Sequence, residues 1–175
     1  MRRVLWLVKI TSVCAALNLS AAETAADHMF ERLKGLAGDW EGTFEWSNGR
    51  TDSGKLKATY YLTGNGSALV ENLVMGGSPM MTTVYHLNGA ELRMTHYCAA
   101  RNQPRLKASQ IDESAGAIDF SFVDVTNAIA SPAYVNNFRI RFLDNDQVNL
   151  KFTFGGGSGN GAIENIVLTR VGPSR

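Results

Sequence analysis

From Trp40 to Arg170 apolar and polar residues alternate with a period of two, broken only by short turn-forming clusters. That period puts successive side chains on opposite faces of an extended strand, which a helix cannot match. "WEGTFEW" sets Trp40, Gly42, Phe44 and Trp46 on one face, and "KLKATYYL" does the same with Leu56, Ala58, Tyr60 and Leu62. "SALVENLVM" is apolar on both faces except at Glu71 and Asn72. "MMTTVYHL" and "ELRMTHYC" flank Asn88-Gly89, a strong hairpin signal. "RLKASQI" and "AIDFSFVD" flank "DESAG", "NFRIRFL" and "QVNLKFTF" flank Asp144-Asn145-Asp146, and "AIENIVLTR" follows "GGGSGNG". The pattern is that of an all-β antiparallel meander of about ten short strands. A meander this long has costly free edges, which predicts closure into a single up-and-down barrel.

Ahead of the strands, "ETAADHMFERLKGLAGDW" carries Met29, Phe30, Leu33 and Leu36 at helical spacing, predicting a short amphipathic helix ending near Gly35 or Gly38. Residues 1–22 read differently. Arg2 and Arg3 precede a mostly apolar run from Val4 to Leu19, and Ser20-Ala21-Ala22 supplies the small residues of a cleavage site. The expectation is a signal peptide at 1–22 and one barrel domain at 23–175, exported to the periplasm or secreted. The apolar run is too short to span a bilayer comfortably, so no stable membrane span is expected after cleavage.

Of the 17 Lys and Arg residues, Arg2, Arg3 and Lys9 fall in the leader, leaving 14 against 16 acidic residues. Such a chain lacks the basic surface that nucleic acid requires. Cys14 also falls in the leader, so Cys98 is the one thiol of the domain and no internal disulfide can form. The glycine-rich segment does not suit a dinucleotide, because a strand follows it where a phosphate cradle needs a helix start.

The stretch "MTHYCAARNQPR" carries the candidate site. With Asn88-Gly89 at the hairpin tip, one face holds Met81, Thr83, Tyr85, Leu87, Leu92, Met94, His96 and Cys98, and the other holds Thr82, Val84, His86, Glu91, Arg93, Thr95 and Tyr97. The first set is the more apolar and is assigned to the interior. An inward His-x-Cys is compatible with three roles. His96 can be a satisfied core residue bonded to Tyr85 or Thr83, with Cys98 a small hydrophobe. His96, Tyr85 and Tyr60 can be the few polar groups of an otherwise apolar pocket. Cys98 can be a nucleophile beside His96, although roots two apart on a strand sit roughly 6–7 Å from each other and would need a bulge to pair. Too few inward ligands exist for zinc. A single histidine or thiolate suffices for haem, and Met81 and Met94 share that face. The elbow "AARNQPR", residues 99–105, reads as a solvated turn at one mouth, where Arg101 and Arg105 could meet an anionic head group. Asn65-Gly66-Ser67 matches a glycosylation sequon and equally a simple turn.

Gly38-Asp39-Trp40, a G-x-W at the head of the first strand after a short helix, resembles the first signature of the lipocalin and calycin superfamily. The resemblance implies that Trp40 plugs the closed end of a barrel and that a basic residue of the last strand, Arg170, packs across it. It covers the mature chain in pattern, but only Gly38, Trp40 and Arg170 in specific residues. The T-D-Y signature and the long C-terminal helix of true lipocalins are absent from the sequence. The pattern is therefore more similar to fatty-acid-binding or haem-binding calycin relatives, or to an uncharacterised bacterial secreted family of such barrels. Nitrobindin-type barrels hold haem through a histidine late in the chain, and no histidine follows His96. The function expected on these grounds is binding of a small hydrophobic or amphipathic molecule with no resident cofactor, enzymatic activity being left open. His96 and Tyr85 would orient the molecule, and Cys98, Met94, Met81, Tyr60 and Trp46 would line its wall, with Phe44, Phe120 and Phe122 as further inward aromatics. The alternatives are a haem barrel or small-molecule enzyme using His96, and a filled scaffold working through its outer face.

Overall fold

The computed structural model describes residues 23–172; the expected signal peptide lies outside the described residues. A helix, α1 (Ala25–Lys34), precedes ten strands: β1 (Gly38–Ser47), β2 (Ser53–Thr63), β3 (Ala68–Met75), β4 (Ser78–Asn88), β5 (Glu91–Tyr97), β6 (Gln103–Asp112), β7 (Ala117–Thr126), β8 (Tyr134–Phe142), β9 (Gln147–Gly155) and β10 (Ile163–Arg170). Each strand pairs antiparallel with its neighbours in sequence, and β1 pairs with β10, so the sheet closes on itself. Closure removes every edge that a ten-stranded meander would otherwise expose.

Closure demands a close approach at one point. Gly42 faces Leu168 across the β1–β10 seam, and a Cβ on Gly42 would sit 1.8 Å from the Val167 carbonyl oxygen. Only glycine fits there.

The two ends of the tube differ. Helix α1 starts with a reciprocal capping box between Thr24 and Asp27 and buries Ala26, Met29, Phe30 and Leu33 over one end. Beneath it the Trp40 indole N–H donates to the Leu36 carbonyl at 2.7 Å, and the Arg170 guanidinium lies 4.3 Å over the indole ring. Arg170 also donates to the carbonyls of Gly35 and Ala37 and to Asp146, so one side chain ties the helix exit to the last strand. His28 reaches Glu113 in the β6–β7 turn at the same end. The opposite end carries the loops β1–β2, β3–β4, β5–β6, β7–β8 and β9–β10.

The hairpin β4–β5 has the register Thr83↔His96 and Tyr85↔Met94, with Gly89 and Ala90 in the turn. Met81, Thr83, Tyr85, Leu92, Met94, His96 and Cys98 are buried. The register shifts at Leu73/Val74, Arg105/Leu106 and Val135/Asn137, and two further particulars depart from a uniform alternation. Leu62 is 44% exposed, close to the end of β2 where the strand leaves the core. Strand β6 carries a bulge at Ser109, because Ala108 pairs with Phe120 and Gln110 with Asp119. The extra residue moves the buried parity from Leu106 and Ala108 to Ile111, and the Ser109 hydroxyl donates to the Asp119 carbonyl.

Candidate functional site

The interior has a filled half and an open half. On the closed side a chain of rings runs Tyr85–Phe120–Phe138–Phe152–His96, with centroids 6.2, 5.7, 4.6 and 5.2 Å apart. Beside these rings lies a polar cluster built by register alone. Tyr60, Glu71, Thr83 and His96 are successive cross-strand partners on β2, β3, β4 and β5. The Tyr60 and Tyr85 hydroxyls both donate to Glu71 Oε2, at 2.8 and 3.0 Å. The Thr83 hydroxyl donates to Glu71 Oε1 at 3.2 Å and lies 2.9 Å from His96 Nδ1. A hydroxyl has one proton, so the consistent chain is His96 Nδ1–H to Thr83 and Thr83 to Glu71. His96 Nε2 is then a bare acceptor, and it has no partner.

Burial pushes the Glu71 carboxyl up to about 7, against the pull of its three donors. It drives the His96 imidazole down to about 4, which keeps the ring neutral. Desolvation, followed by the neighbouring Glu71 charge, holds both tyrosines well above their ordinary value. Glu71, His96, Tyr60 and Tyr85 are thus each bonded, uncharged or both, as a buried polar cluster must be.

Above this layer, on the loop-rich side, a cavity of about 660 Å³ opens at the mouth. Its wall is mainly apolar, with Phe44, Trp46, Met75, Met81, Cys98 and Phe154, and its charged lining residues are Arg50, Asp52 and Glu164. Trp46 and Phe154 lie 5.1 Å apart, and Arg50 stacks on the Trp46 ring at 3.7 Å while its guanidinium pairs with Asp52. Glu164 faces Trp46 across the seam, is 1% exposed, and leaves Oε2 without a partner. Burial raises the Glu164 carboxyl to about 7, with Arg50 and the Trp46 indole pulling the other way. A second depression of about 720 Å³ is lined by the exposed Glu41, Thr43, Lys55 and Lys57 together with Gly42 and the buried Leu56.

Of the residues expected to touch a ligand, the structure brings Trp46, Met81 and Cys98 to the cavity wall. It places His96, Tyr85, Tyr60 and Met94 one layer below, in the filled half. The hydroxyls of Tyr60 and Tyr85 are committed to Glu71, a residue that sequence reasoning did not single out. Its signal was present, because Glu71 shares parity with the inward Leu69 and Leu73, and Glu164 with Ala162, Ile166 and Leu168. The Cys98 thiol is pushed up by burial and is no ready nucleophile. Among the described residues no group of three or more His, Cys, Asp or Glu side chains is placed to hold a metal.

The elbow differs from the expected solvated turn. Asn102 is fully buried and donates from Nδ2 to the carbonyls of Ser131 and Ala133, clasping the β7–β8 loop to the β5–β6 loop. Asn127 returns a bond to the Arg101 carbonyl. Pro104 lies within β6, and Arg105 is exposed in a two-pronged pair with Asp124. Arg101 is exposed in the β5–β6 loop.

No protein-family model matches the sequence, and no curated protein matches it. Among solved structures the fold is similar to Rv2717c of M. tuberculosis, at 12% identity over 82% of this chain and 98% of that one, with a TM-score of 0.56. Looser likenesses are a protein of unknown function from the DUF3598 family of Nostoc punctiforme, at 11% identity, 79% and 48% coverage and TM-score 0.47, and a redesigned β-barrel at 10% identity, 79% and 93% coverage and TM-score 0.40. The first of these likenesses supports the barrel fold and nothing finer.

Proposed function

We propose that the protein is an exported lipocalin-like barrel that binds a small hydrophobic or amphipathic molecule in its mouth. The observation that carries this reading is the cavity of about 660 Å³ with its wall of Phe44, Trp46, Met75, Met81 and Phe154. A ligand body burying about 200 Å² of apolar surface there contributes roughly 5 kcal/mol before the cost of association. The Gly38-Asp39-Trp40 motif and the Arg170–Trp40 stack support the lipocalin likeness. Export rests on the composition of residues 1–22, and the acidic balance of the remainder argues against a nucleic-acid partner. Binding fits better than catalysis, because the imidazole expected to activate Cys98 is turned to Thr83 instead. Haem fits less well than an organic molecule. His96 does not line the cavity, and the Cys98 thiol that does is held protonated by burial, whereas a haem ligand must be a thiolate.

The test is native mass spectrometry, with an absorption spectrum, of protein purified from its own host, beside Ala133→Trp at the cavity rim. A co-purifying small molecule that the variant releases while keeping its fold supports the reading. A Soret band would promote haem. A protein that carries nothing and takes up no added 1-octanol contradicts the reading and leaves a scaffold.

A further inference from the structure

Within a mainly apolar chamber, one group is left wanting. Glu164 Oε2 is buried and unpartnered, on a side chain that lines the cavity and is 1% exposed. A carboxyl oxygen shielded from water without a donor is costly, and natural interiors rarely leave one so. The other two buried side-chain polar atoms without a partner among the described residues, His96 Nε2 and Asn102 Oδ1, belong to residues that do not line the cavity. Glu164 shares the cavity wall with Trp46, Phe44, Phe154, Met75 and Met81. Aromatic faces attract cations, and the site already shows this preference, since the Arg50 guanidinium rests 3.7 Å over Trp46. Arg50 is itself paired with Asp52, and although Arg50 and the Trp46 indole also act on Glu164, Glu164 Oε2 keeps no hydrogen-bond partner.

We propose that the mouth cavity selects hydrophobic amines: an ammonium group donates to Glu164 Oε2, and the apolar body lies against Trp46, Phe44, Phe154 and the methionines. The inference rests on the binding function proposed above and narrows its ligand class. An alcohol of the same chain length gains the apolar contacts and a weaker hydrogen bond. Above pH 7, where the titrations are run and Glu164 is ionised, a carboxylate meets it as a like charge.

The experiment is calorimetric titration of the whole protein with n-octylamine, 1-octanol and octanoate, repeated on Glu164→Gln. The expected order is octylamine first, at least tenfold tighter than octanol, with octanoate weakest. In E164Q the amine's advantage over octanol falls to within about threefold, and a circular dichroism spectrum matching the parent's shows that the variant is folded. Octanol binding without any preference for the amine, an unchanged amine-to-alcohol ratio in E164Q, or octanoate as the tightest ligand would each overturn the amine proposal and leave the binding function standing. Failure of all three probes to bind would remove both.

Discussion

Glu71 and Glu164 are two carboxyls inside one barrel, and what their oxygens meet separates their roles. Glu71 receives three hydroxyl donors and belongs to the core; Glu164 keeps an oxygen free beside a cavity. Both are raised to about 7, above the value of an unfolded glutamate. The folded protein therefore holds protons that the unfolded chain releases between about pH 4.5 and 7. The stability this contributes is complete below 4.5 and is lost as pH rises through 7. His96, lowered to about 4, acts in the opposite sense: its contribution is present above 6.5 and is lost as pH falls through 4. Glu71→Gln isolates the first term, because an amide can still accept from the tyrosines and carries no charge to bury. Denaturant unfolding of the parent and E71Q from pH 4 to 8 should show the parent losing about 3 kcal/mol relative to the variant as pH rises. A flat difference, or one of the other sign, would mean that Glu71 is not buried as described.

At the scale of the elements, the seam between β1 and β10 converts a meander into a tube, and Gly42 sets how closely the two strands meet. Gly42→Ala places a methyl against the Val167 carbonyl, where backbone rather than a flexible side chain must yield. The expected cost is about 3 kcal/mol, read as a lowered unfolding midpoint; a loss below about 0.5 kcal/mol would place the seam elsewhere. Most of this architecture is legible in the chain. Ten strands, the short helix and the inward face of the β4–β5 hairpin follow from the period of two and the turn residues, since local chemistry decides them. What escapes the sequence is whatever depends on a distant partner. The Ser109 bulge has no turn residue to announce it, and its cause is the pairing with Asp119 across the sheet. Asn102 looks like a polar turn residue because the carbonyls it satisfies lie about 30 positions away, at Ser131 and Ala133. Inward parity located Tyr85 and His96 correctly in the interior, yet parity carries no information about depth along the tube. That is why the filled layer and the cavity wall could not be told apart from the sequence.

As a whole, the tube has a stoppered end, a packed middle and a hollow mouth. The stopper is the Trp40–Arg170 stack under α1, the packed middle is the ring chain with its Glu71 cluster, and the mouth is framed by five loops. The methionines report on these layers separately: Met75, Met80 and Met81 line the cavity, Met94 lies in the packed middle, and Met29 lies on the helix. The most direct measurement is the methyl NMR spectrum of methionine-labelled protein titrated with 1-octanol. Saturable shifts at Met75, Met80 and Met81, with Met29 and Met94 still, are the predicted result. Shifts confined to Met29 or Met94, or no saturable shift at any methionine, would contradict a ligand-binding mouth.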